Sequence, residues 1–177
     1  MTLADLSDEE LLIAVANTAH GEQDELADAA SVRAWWRALG GSVATRRGRS
    51  DAPESVALLR TLRGLIRGLA LRNNGIEPDL SPFDLAPLAL RVDLRGAPSL
   101  RAEAPGDLAQ DISAATVTAL LRAMARPGWP RFKACRGDDC RWVFVDGSRN
   151  TSRRWCDMAN CGNRAKVATF RDRHRSA

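Results

Sequence analysis

The stretch from Arg131 to Arg171, RFKACRGDDCRWVFVDGSRNTSRRWCDMANCGNRAKVATFR, contains every cysteine of a 177-residue chain. Cys135, Cys140, Cys156 and Cys161 are spaced C-x4-C-x15-C-x4-C, two matched pairs separated by enough chain for a β-hairpin. Such pairs converge on one tetrahedral centre, and Zn²⁺ held by four thiolates is the commonest outcome. The competing reading, two disulfides or unrelated thiols, fits the matched pairing less well and needs an oxidising compartment that nothing else in the chain suggests.

Between the pairs, Arg141 to Asp146 reads as a short strand, Gly147 to Asn150 as a turn and Ser152 to Trp155 as a return strand. Gly162 to Arg171 reads as a helix. The order of knuckle, hairpin, knuckle and helix is that of a treble-clef-like finger. A module this small cannot be stable on apolar burial alone, so the metal is expected to be a condition of its folding. Chelation is then expected to melt residues from about 131 onward and spare what precedes them.

Outward from the cysteines, charge separates two parts. Residues 131–177 carry 12 Lys and Arg against 5 Asp and Glu, whereas residues 1–130 carry 14 against 17. The basic part is the one expected to meet a polyanion. No run approaches the roughly 20 apolar residues of a membrane span, because Arg60, Arg63, Arg67 and Arg72 interrupt the longest candidate. The first residues lack the features of a secretory signal, so a cytoplasmic protein without a membrane partner is expected.

The body reads as four helices and a hairpin. Ser7-Asp8-Glu9-Glu10 has the form of a capping box ahead of Leu11, Leu12 and Val15. A second helix runs from Asp24 to Leu39 and stops at Gly40-Gly41, with Trp35-Trp36 expected half in the core and half at the surface or a dimer contact. Pro53 opens a third, with an apolar stripe from Val56 to Leu69, ending near Asn73-Asn74-Gly75, its arginines expected on a solvated face or, alternatively, one of them recruited by a ligand pocket in the body to bind an anion. Alternation over Leu88–Leu94 and Leu100–Ala104 about Gly96-Ala97-Pro98 predicts a β-hairpin, and Asp107 to Ala125 a fourth helix. The expected fold class is therefore mainly α, α+β overall: a helical domain with a small hairpin over 1–128, and a zinc finger of hairpin plus basic helix over 129–177.

The finger stretch, from Trp142-Val143-Phe144-Val145-Asp146 through Ser148-Arg149-Asn150 and Arg154-Trp155-Cys156 to Cys161-Gly162-Asn163-Arg164-Ala165-Lys166, resembles the CGNR zinc-finger family. In that family the finger follows a mostly helical ABATE domain, to which Asn17-Thr18 and Val32 to Leu39 bear a looser resemblance. The resemblance implies a bacterial, stress-induced transcription regulator that binds one structural zinc per chain through the four cysteines.

The basic residues carry the nucleic-acid expectation. Arg149, Arg153 and Arg154 flank the finger's turn, Asn163, Arg164 and Lys166 open its helix, and Arg171, Arg173 and Arg175 follow. Together they can neutralise phosphates, with Asn163 suited to adenine and Arg164 to guanine edges. The bland alternative is that Arg141, Arg154 or Arg164 hydrogen-bonds sulfur or backbone around a centre of formal charge −2. Trp142, Phe144 and Trp155 are expected to pack around the metal rather than stack on bases, and neither His20 nor His174 is needed as a ligand.

No nucleophile elbow, metalloprotease helix or phosphate-binding glycine loop is present, so no enzyme is expected. Duplex DNA is the expected partner and RNA the less favoured one. The alternative from another class is a protein-interaction finger on a body that dimerises or binds a small-molecule effector.

Overall fold

The computed structural model describes residues 6–41, 52–103 and 107–175. Met1 to Asp5 and the predicted strand end at Ala104 lie outside them. Helix α1 (Asp8–Ala16) opens on the capping box read from sequence: the Ser7 hydroxyl accepts from Glu10 N–H at 3.2 Å, while the Glu10 carboxylate accepts from Ser7 N–H at 2.9 Å. A two-residue ribbon, β1 (Ala19–His20) with β2 (Gln23–Asp24), follows. Helix α2 (Ala29–Ala38) therefore starts five residues later than expected, because Asp28 caps it through Ser31 N–H and Asp24 closes the ribbon instead.

Helix α3 (Pro53–Asn73) is the central pillar, with Leu59, Leu62, Ile66 and Ala70 fully buried. Its end is set by Gly75, whose φ of +74° permits the left-handed turn in which Ile76 N–H reaches Leu71 C=O and Gly75 N–H reaches Arg72 C=O. The antiparallel strands β3 (Leu90–Asp93) and β4 (Ser99–Ala102) form the predicted hairpin and lie along α4 (Leu108–Met124), which Asp107 caps. Leu12, Val15, Val32, Leu59, Leu62 and Ile112 meet in one core.

Two expectations about the body are corrected. Trp35 and Trp36 are both buried, at 6% and 2% exposure, with the Trp36 indole packed so closely on Gly41 that a Cβ there would overlap it. The arginines of α3 are not uniformly solvated. Arg63 forks onto Asp24 and reaches Thr18, while Arg67 donates to the carbonyls of Ala16 and Ala19 at 2.7 and 2.6 Å. Those two carbonyls lie at and beyond the end of α1, where backbone acceptors lack helical partners, and a half-buried guanidinium satisfies them.

The last segment comprises a 3₁₀ turn (Trp129–Arg131), β5 (Phe132–Ala134), β6 (Val143–Val145), a π-helical turn (Met158–Gly162) and α5 (Asn163–Arg175). Its hairpin differs from the one expected. Strand 143–145 pairs backwards with β5, Phe132 opposite Val145 and Ala134 opposite Val143, and residues 152–155 form no return strand. The first cysteine pair consequently sits at the turn of the hairpin, and the second at the start of the helix. The molecule is α+β, helical in the main with three antiparallel strand pairs among the described residues.

Candidate functional site

The cysteine-bearing turn is built by a tight backbone. Cys135 N–H donates to Trp142 C=O at 2.8 Å, Cys140 N–H donates to Gly137 C=O, and Arg141 takes φ +54° to return the chain to β6. Gly137 lies so close that a Cβ would stand 3.3 Å from that of Cys140 and 3.7 Å from the Cys135 sulfur. At the other pair, Asp157 caps the π-helical turn through Ala159 N–H, and the turn delivers Cys161 beside Cys156.

The four sulfurs lie within 4.8 Å of one another, with Cys140–Cys156 at 3.5 Å and Cys156–Cys161 at 3.7 Å. None is in a disulfide. Sulfurs on a tetrahedron of ~2.3 Å zinc–thiolate bonds stand about 3.8 Å apart, so the spacing and the all-thiolate donor set fit Zn²⁺. Three of the cysteines are buried and Cys156 is half-buried. The residues form a site for one structural zinc per chain. With all four positions taken by protein, the ion would supply cross-linking rather than an open coordination position for substrate.

The surroundings act on the thiols unequally. Burial pushes Cys140 and Cys156 up. At Cys161 burial acts in the same sense, but the Arg164 guanidinium and the neighbouring thiols outweigh it and hold the group below its ordinary range. Arg164 donates to the Cys161 sulfur at 3.3 Å and to Asp139 at 2.7 Å, thereby tying the second knuckle to the first. Gly137 N–H adds a contact to the Cys135 sulfur at 3.5 Å.

Among the other candidates, Arg153 is engaged within the protein. It donates to the carbonyls of Trp155 and Cys156 and lies over the Phe144 ring at 4.5 Å. Asn163 donates to Ala159 C=O. By contrast Arg149, Arg154, Lys166, Arg171, Arg173 and Arg175 are exposed, and their side chains have no hydrogen bond or ion pair among the described residues. Phe144 and Trp155 pack against the cysteines, whereas Trp142 is 38% exposed and meets His20 edge-on at 5.6 Å. His174 is exposed on α5 against Phe170.

Two sets of residues to which the sequence assigned no supporting role hold the site in place. Lys133, buried in β5, donates to Asp146 at 2.8 Å, to Thr151 C=O at 2.6 Å and to Arg153 C=O at 3.3 Å. Asp146 accepts from Ser148 and Arg153 N–H. This clip takes up Ser148 N–H, Thr151 C=O and both backbone groups of Arg153, and so holds residues 148–153 in place without a return strand. The second set is three asparagines of the body. Asn17 donates to Val143 C=O and accepts from its N–H, Asn73 donates to the carbonyls of Trp129 and Phe132, and Asn74 donates to those of Ala134 and Arg154. The helix-ending Asn-Asn-Gly signal located the last two without revealing their partners.

Residues 131–174 match the family model of the CGNR zinc finger. No curated protein matches this chain.

Proposed function

We propose that the chain is a non-enzymatic, zinc-dependent transcription regulator of the CGNR type that binds duplex DNA through α5, on a body of the ABATE type. The observation that carries this is a 13-residue helix projecting from the metal centre with five basic residues and one acidic one. Its only substantial packing partner among the described residues is the π-helical turn before it. Arg164, Arg171 and Arg175 recur at steps of seven and four, which places them on one stripe about 16 Å long at 1.5 Å per residue. Small Ala168 lies between them, so the stripe approaches a groove without a bulky obstacle. The protein-bound Arg164 anchors the inner end, and the outer two are free to meet phosphates.

The test is fluorescence anisotropy of the zinc-loaded full chain with a 20-base-pair duplex across a salt series. Affinity is expected to fall linearly in log salt, and Arg171→Glu with Arg175→Glu to weaken binding by tenfold or more and flatten the slope by about 0.9 for each phosphate left unneutralised. Arg164→Ala should in addition lower zinc retention, because it donates to Cys161. Absence of duplex binding by the parent protein at ~50 mM salt overturns the proposal. A second reading has one observation in its favour: Val167 and Phe170 on α5 are 48% and 62% exposed, as on a helix that docks a protein. That reading requires binding that persists at high salt.

A further inference from the structure

We propose that the body binds a small organic anion, an apolar or aromatic skeleton ending in a carboxylate or sulfonate, in the cleft between α1, the β3–β4 hairpin and α4. The cleft is half open and about 700 Å³ in volume, which is within the range of ligand pockets. Its wall carries short apolar side chains, Ala114, Ala115 and Ala119 on α4, with Leu6 and Leu11, alongside the carboxylates of Asp8 and Asp111. Short residues leave the space that a ligand's skeleton would fill. The hairpin is tied to α4 at one side of the cleft by Leu100 N–H donating to the Thr118 hydroxyl at 2.8 Å and by Arg122 donating to Pro98 C=O.

The rim is cationic. Arg91, Arg95, Arg101 and Arg122 all line it, and the antiparallel register sets Arg91 directly opposite Arg101. Like charges directly opposite in a ladder are unfavourable and need a counter-charge. Asp93, 8% exposed, supplies one for Arg95 and Arg101 only, and both guanidiniums hold its carboxyl well below the usual carboxylate range. On the wall, Asp8 is already paired with Arg126 at 2.6 Å and with Arg122 at 3.8 Å. The Arg91 guanidinium has no hydrogen bond or ion pair among the described residues. An anion seated between Arg91 and the terminal nitrogens of Arg101 would complete this cluster, with its apolar part against the alanines.

The experiment titrates the zinc-loaded full chain with 1-anilinonaphthalene-8-sulfonate and, in parallel, with the uncharged N-phenyl-1-naphthylamine, following fluorescence. The expected result is saturable one-to-one binding of the sulfonate and weaker binding of the neutral probe. Arg91→Ala, at an exposed and unpartnered position, should weaken sulfonate binding about tenfold or more with an unchanged melting temperature. Ala115→Phe, which fills the cleft, should abolish it, whereas Lys166→Ala on α5 should leave it unaltered. Equal sulfonate affinity in the parent and Arg91→Ala overturns the proposal, as does non-saturable binding or a neutral probe that binds as tightly. The outcome is independent of whether α5 binds DNA.

Discussion

Lys133 and Asp146 are 5% and 0% exposed, the most deeply buried ion pair among the described residues. Each has further partners, so neither charge is left to the low dielectric alone, and removing one partner strands the other. Asp146→Ala is expected to destabilise the protein by about 3 to 5 kcal/mol in denaturant melts. Burial pushes the Asp146 carboxyl up, but Lys133, Ser148 and the Arg153 N–H outweigh it and hold the group well below the ordinary carboxylate range. A carboxyl depressed in the folded state adds stability that is complete above its unfolded value of about 3.9 and fades as the pH drops below it toward the folded value. The stability gap between the parent and Asp146→Asn should therefore be constant from neutral pH down to about 5 and narrow below about 4. A gap that widens on acidification would contradict the assigned role.

At the scale of elements, the finger hairpin joins the body through asparagine side chains rather than through a shared sheet. Val143 is 1% exposed, and Asn17 at the end of α1 satisfies both its backbone groups. Asn17→Ala leaves that N–H and C=O without partners, at an expected cost of about 1 to 3 kcal/mol per group. Thermal melting should show the destabilisation, and amide exchange at Val143 should quicken by an order of magnitude or more. Asn74→Ala should likewise lower the melting temperature, by removing the donor to the carbonyls of Ala134 and Arg154. Unchanged stability in both variants would show that apolar packing of Phe132 and Val143 suffices to dock the hairpin.

For the whole molecule, the body's core extends into the finger: Phe132, Ala134 and Val143 belong to the same buried cluster as Leu59 and Ile66. The expected effect of chelation changes accordingly. Removing zinc at neutral pH should raise amide exchange in residues 135–142 and 154–175, while β5, β6 and α3 stay protected because their burial does not depend on the metal. Loss of protection in α3 would mean that zinc holds the body as well.

The local signals were complete in the chain itself. Ser7 with Glu10, Pro53, Asn74-Gly75 and Asp107 place helix ends because capping and φ requirements act within a few residues, and the C-x4-C pairs name the zinc ligands because coordination chemistry selects residue type and spacing. Partners across the fold were not legible in this way. That Arg67 serves the end of α1, that Trp35 and Trp36 are both buried, that Asn17 clasps Val143 and that Lys133 replaces a strand with a clip depend on which surfaces meet. A polar residue's sequence position states what it can bond, and only the tertiary packing, by burying specific backbone groups that must then be satisfied, decides to what.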